Sequence, residues 1–190
     1  MKKIILIALV LCAFSFANAQ ESKGYIGVSF GASFPSGDLT KVDNAKTGFN
    51  LGLINAGYRF TETYGMTFNW GSTAYNFSDV YGYDYTFAIG YLAIGPMFSF
   101  PLSNKIGLDL KPQIAFTTGV FDDGTDTFNT NSSTGLLLGS SINFPFAKHW
   151  GLAFNLDYLS TKFKEVDGEP MDINYKANAF NTSLGIQYKF

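Results

Sequence analysis

The chain has little that reacts. Its 190 residues hold one cysteine, Cys12, and one histidine, His149. A single cysteine excludes a disulfide framework, and one histidine with one cysteine cannot make a metal set of His and Cys ligands. Nucleophilic catalysis through an imidazole base would have to run through His149. Charge is also scarce, at 15 % of residues, with 13 basic against 15 acidic side chains and no basic cluster or basic helix of the kind that binds nucleic acid. Long helical patterns are missing. So is any apolar run approaching the ~20 residues that cross a bilayer as a helix.

The longest apolar run, residues 4–16, follows Met1-Lys2-Lys3 and leads into Ala17-Asn18-Ala19. A positive start, a short apolar centre and a small-x-small ending are the parts of a secretory signal peptide, expected here over residues 1–19. The alternative, a retained anchor, suits the short run less well. Cys12 lies inside the run, and Leu11 stands where a lipoprotein signal would need a small residue, so the cysteine is expected to be discarded. Without Lys2 and Lys3 the basic count falls from 13 to 11 against 15 acids, a net charge of −4. The remainder, 20–190, fits one domain.

What is abundant is aromatic rings, at 17 % of residues, and glycine, with 20. They recur with a period of two between turn signals, which points to an all-β chain. Eight strands are expected, over 25–34, 49–60, 65–77, 87–100, 106–120, 135–146, 150–160 and 177–190. The fifth is the clearest: Ile106, Leu108, Leu110, Ile114 and Phe116 form one stripe, and Gly107, Asp109, Lys111, Gln113 and Thr117 the other. In the second, Phe49, Leu51 and Leu53 are odd while Ile54, Ala56, Tyr58 and Phe60 are even. Either a β-bulge near Leu53 shifts the phase, or the upper half of the strand stands above any membrane. Pro96 and Pro112 fall inside strand patterns and predict local ladder defects. Connections alternate between short (61–64, 101–105, 147–149) and long (35–47, 78–86, 121–134, 161–176), so an up-and-down sheet would carry all its long loops at one end.

Periodicity alone does not say which stripe faces inward. A soluble lipid-binding barrel would put the apolar stripe inside; a membrane barrel would put it outside. The polar stripe is mostly Gly, Ser, Thr and Asn, sizes that fit a narrow interior. Aromatics gather near the short-turn ends (Tyr58, Phe60, Phe98, Phe100, Phe144, Phe146, Trp150, Tyr188, Phe190) and toward the long-loop ends (Phe34, Tyr91, Tyr158, Phe180). Two belts around aliphatic centres match two membrane–water boundaries. A closed sheet also pairs every backbone N–H and C=O, each of which would cost several kcal/mol if left unpaired in hydrocarbon. The expected fold is therefore an all-β, eight-stranded, antiparallel, up-and-down transmembrane β-barrel.

With its export segment, its eight amphipathic strands and the final "AFNTSLGIQYKF", the chain from Gln20 to Phe190 resembles the small outer-membrane β-barrel family of Gram-negative bacteria, which includes OmpX-like and OmpA-transmembrane-like barrels often called porin family. The resemblance implies an outer-membrane location. It also implies that the last strand, with Leu184, Ile186, Tyr188 and Phe190, is the signal read by the barrel-assembly machinery. Phe190 read as one more belt aromatic is compatible with that role.

Eight strands leave a lumen just wide enough for side chains to fill. The charges on the inner stripe, Arg59, Asp109, Lys111, Asp157 and Lys189, are expected to form an internal ion-pair network, since unpaired buried charges are costly; an ion gate is the alternative. A thin water path past Asn69, Asn143, Asn155, Asn181 and Gln187 would make a narrow channel for small solutes. His149 sits in a short turn, whereas the enzymes that the family resemblance brings in place their catalytic groups toward the outer leaflet, so no catalytic residue is assigned. In the loops, Asp122, Asp123 and Asp126 read as a solvated acidic segment without the spacing of a calcium loop, though weak Ca²⁺ or Mg²⁺ bridging to lipopolysaccharide is the alternative. Tyr81, Tyr83 and Tyr85 read equally as contact residues or upper-belt anchors. No cofactor or metal is expected. The expected partners are outer-membrane lipid, lipopolysaccharide and, during biogenesis, the assembly machinery; the barrel is expected to be a monomer that contributes to envelope integrity or surface interaction.

Overall fold

A computed structural model describes residues 23–41, 45–78, 84–103, 106–122 and 124–190. The expected export segment, 1–19, lies outside the described residues. The elements run β1 (Gly24–Gly37), a one-turn α1 (Asp38–Lys41), β2 (Gly48–Arg59), β3 (Tyr64–Ser78), β4 (Asp84–Pro101), β5 (Gly107–Asp122), the three-residue β6 (Thr127–Asn129), β7 (Ser133–Pro145), β8 (Trp150–Val166) and β9 (Glu169–Lys189). Each long strand pairs antiparallel with its neighbours, and β1 with β9 and β4 with β5 complete the ring of eight. β6 pairs with the top of β5, above the β5–β7 ladder.

The stripes fall as a membrane barrel requires. Ile114 is 52 % exposed and Ile186 42 %, on the outer face, whereas Gln113 and Asn181 are buried inside. An eight-stranded barrel with its apolar stripe outward and its hydroxyls and amides inward is the reverse of a soluble lipid carrier. The soluble alternative is therefore excluded.

The phase break in β2 is a bulge. Gly27 pairs with Asn55 but Ser29 pairs with Gly52, and the β2–β3 register shifts between Gly52 and Ile54, so Leu53 is the extra residue. It lets Phe49, Leu53 and Tyr58 all face outward across the change of parity. The prolines also leave their mark. Ile94 pairs with Ile114 and Phe98 with Leu110, and the β4–β5 ladder is broken between them, where Pro96 and Pro112 face each other with no N–H to donate.

The three short turns close by backbone bonds, for example Phe60 N–H to Tyr64 C=O, Leu102 to Ile106 and Phe146 to Trp150. At the opposite end one expectation fails. Residues 161–176 do not form a loop; β8 and β9 run on through them, with Phe163 opposite Tyr175, to a two-residue turn at Asp167 (φ 50°) and Gly168 (φ 82°). Two positive φ values make a type I′ hairpin turn, whose twist matches the strands, and Asp-Gly is its preferred dipeptide. Asp167 Oδ1 also accepts the Asn129 N–H at 2.8 Å, tying the turn to β6.

Candidate functional site

The lumen has two chemically distinct storeys. The lower and middle storey is polar, because inward positions on β1, β3, β5, β7, β8 and β9 carry hydroxyls and amides. Asp109 on β5 accepts from Ser99 Oγ at 2.6 Å and from Asn143 Nδ2 at 2.8 Å. Lys111 Nζ donates to Ser141 Oγ; the Ser141 hydroxyl donates to Asn155 Oδ1, and Asn155 Nδ2 to Ser183 Oγ at 3.2 Å. Asn69 Nδ2 on β3 donates to Gln113 Oε1 on β5 at 2.7 Å, past the intervening β4. Among the described residues, hydrogen bonds to neutral groups rather than contact ion pairs hold Asp109 and Lys111.

The other three charges expected in the network are less engaged. Asp157 Oδ1 and Arg59 Nε are shut away from water without a hydrogen-bond partner, and Lys189 lies half-buried at the short-turn rim. Asp157 and Lys111 flank Gly139, which has no side chain to separate them. A Cβ there would meet Asp157 Oδ1 at 2.5 Å and Lys111 Cε at 3.4 Å. Asn69, Thr73, Gln113, Asn143, Asn181 and Gln187 each keep one buried side-chain atom unbonded as well, which marks room for internal water.

The upper storey is apolar. Phe87 lies flat on Phe121, with centroids 4.0 Å apart, and meets Phe163 and Tyr175 edge-on at 6.2 and 6.0 Å. Tyr75, Ile89, Tyr91, Leu137 and Leu159 extend this plug, and α1 lowers Leu39 onto it. At the boundary of the storeys Ser33 Oγ bonds both Tyr75 Oη, at 2.6 Å, and Asn181 Oδ1. Tyr91, expected in the upper belt, is inside this plug and only 6 % exposed. Sequence reasoning missed the plug. Its signal was β4, where both stripes are apolar from Phe87 to Ala93, as no strand with a polar inner face would be.

At the seam Phe190 pairs with Gly24 through two backbone bonds of 2.8 and 2.9 Å. Its ring covers Gly24 so closely that a Cβ there would collide with it, an aromatic shielding a glycine across the strand pair. Leu184 and Ile186 face outward, and Tyr188 stacks on the ring of His149, centroids 5.6 Å apart. His149 Nδ1 lies 3.0 Å from the Lys189 carbonyl oxygen and its own C=O accepts the Lys189 N–H, so the histidine clamps the end of β9.

Of the loop candidates, Tyr81, Tyr83 and Asp123 lie outside the described residues. Tyr85 belongs to β4 and stacks on Phe77, centroids 5.7 Å apart, at the mouth of the lumen. Asp122 ends β5 with its Oδ1 accepting the Gly124 N–H, and Asp126 is exposed nearby. Among the described residues no three His, Cys, Asp or Glu side chains gather as a metal site.

Comparison with known proteins agrees with this geometry. No curated protein sequence matches. Neisserial surface protein A is similar in fold, with TM-score 0.63 and 16 % identity over 88 % of this chain and 97 % of that one. Ail, the attachment invasion locus protein of Yersinia pestis, gives TM-score 0.57 and 19 % identity over 90 % of this chain and all of that one. The N-terminal β-barrel of Pseudomonas aeruginosa OprF gives 0.50 and 12 % over 90 % and 100 %. The family model described as outer membrane protein beta-barrel domain matches residues 4–190. A ring of eight strands, oily outside and filled within, thus sits in the outer membrane, and the chain belongs to the outer membrane protein β-barrel domain family.

Proposed function

We propose that the protein is a non-enzymatic, monomeric barrel that contributes to envelope integrity or surface contact, with its long-loop end outward and its lumen closed. The observation that carries this reading is the filled bore: the aromatic plug around Phe87 lies over a hydrogen-bonded polar storey. A bore occupied in this way leaves the outer rim and the lipid-facing wall as the surfaces that can meet other molecules. Short turns at one end and long excursions at the other favour the usual orientation, turns in the periplasm and loops outside. Export by residues 1–19 and recognition of the strand ending in Phe190 by the assembly machinery complete this reading. The five lumen charges serve as filling and bracing, not as a gate.

Planar-bilayer recording of the purified barrel tests the reading: the expected record has no stepwise conductance. A second reading, a narrow channel for small solutes, draws support from the eight buried polar atoms without partners, which would suit a thread of water. Steady single-channel steps in the native protein would favour it. Protease treatment of intact cells tests orientation, with cleavage expected at the long-loop end alone.

A further inference from the structure

Outside the barrel, β8 and β9 carry a ladder of outward-facing pairs. Trp150 faces Tyr188 at the lower boundary and Tyr158 faces Phe180 at the upper one, with Phe34 of β1 beside Phe180. Eight residues separate Trp150 from Tyr158, about 26 Å along the strand and about 20 Å of height at the usual ~40° tilt, close to the apolar band of such barrels. Above Tyr158–Phe180 comes Ser160–Asn178, joined by a 3.0 Å side-chain bond. The next pair is Lys162–Lys176, both exposed, and Lys164, also exposed, follows two residues on, where the register shifts.

Two lysines directly opposite one another repel, and such pairs destabilise a sheet. Among the described side chains, which do not include those of residues 171–174, none of the three ammonium groups has a hydrogen-bond or ion-pair partner. Asp38 accepts the Lys176 backbone N–H through its Oδ2 at 2.8 Å, which anchors α1 to β9. On the other flank Ser133 Oγ bonds the Lys162 C=O, so a neutral residue stands there. Four residues above the belt is about 13 Å along the strand and about 10 Å above the hydrocarbon edge, the level of lipid headgroups.

We propose that Lys162, Lys176 and Lys164 form an outward-facing binding site for the phosphate of an outer-leaflet glycolipid, which resolves their mutual repulsion. The site rests on the orientation proposed above and gives the wall of the barrel, not its mouth, a specific lipid contact. Each lysine near an anionic surface contributes roughly a fivefold gain in binding.

The test titrates the native barrel, in neutral phosphatidylcholine vesicles, with bis-phosphorylated lipid A, following the rate of heat unfolding on gels. Phosphorylated lipid A is expected to slow unfolding, dephosphorylated lipid A and free pyrophosphate to do far less. The variant Lys162→Gln/Lys176→Gln should need about thirtyfold more lipid A for the same protection, and in neutral vesicles alone it should unfold more slowly than the native protein, because the repulsion is gone. Equal response of native and variant would overturn the proposal, as would protection independent of the phosphates or fully reproduced by pyrophosphate. Protease cuts at the short-turn end would overturn the orientation itself. Correct orientation with no lipid A response would overturn the site alone.

Discussion

Replacing Phe87 by alanine removes the centre of the outer plug. The ring has no exposed surface, lies 4.0 Å from Phe121, and touches Phe163 and Tyr175 edge-on. Beneath it is Gly119, where a Cβ would come within 2.7 Å of the ring. Truncating a fully buried phenylalanine costs about 3–5 kcal/mol, the transfer term plus the cavity left behind. The upper part of that range applies, because the walls are strands held by ladder bonds on both sides and cannot close in. Phe30, by contrast, is 64 % exposed toward the bilayer. Phe30→Ala loses a transfer term of about 2 kcal/mol and leaves no cavity, since acyl chains fill the space. Urea unfolding in lipid vesicles, followed by tryptophan fluorescence, gives both values. A Phe87→Ala cost below about 1 kcal/mol, or below that of Phe30→Ala, would refute a packed plug.

Lys111→Met is expected to destabilise by about 1–3 kcal/mol, because it removes the donor to Ser141 Oγ and the cation across Gly139 from Asp157; Lys111→Met/Asp157→Leu should recover part of the loss, and neither should open conductance in planar bilayers. Unfolding that shows the double variant no better than the single one would mean that the two charges do not compensate each other. Gly24→Val should push the Phe190 ring off the seam and slow folding into vesicles severalfold, read from the compact band on unboiled gels. Gly168→Ala, at a φ of 82°, should cost about 1 kcal/mol, with faster amide exchange confined to the tips of β8 and β9.

How legible was this in the sequence? The membrane-spanning parts of β5 and β9 could be read residue by residue, since the period of two meets a different solvent on each face. Even the faults were visible: Leu53 shifts a phase, and Pro96 and Pro112 cannot donate. The upper storey was not legible from parity alone. Above the polar network the inward stripe turns apolar, so Tyr91 and Tyr85 look like belt or loop residues until the closed ring places them inside. The β8–β9 hairpin was masked by its polar outer face, Lys162, Lys164 and Lys176, although Asp167-Gly168 carried the turn signal. Parity put Asp109 and Lys111 on the inner stripe, where both are buried, but the identity of their partners depends on which strands face each other across the bore. That is set by strand pairing around the whole ring and no single strand contains it.

The account stands on which face of each strand meets hydrocarbon. Ser183 and Leu184 are neighbours on β9, one 4 % exposed and one 58 %, and no cysteine occurs beyond Cys12, so with Cys12 replaced by alanine, Ser183→Cys and Leu184→Cys can be spin-labelled cleanly. In lipid vesicles the label at 184 should collide readily with oxygen and hardly with a water-soluble nickel chelate, whereas Ser183→Cys should label slowly and be shielded from both. A label at 183 that reports acyl chains, with 184 shielded, would contradict the account.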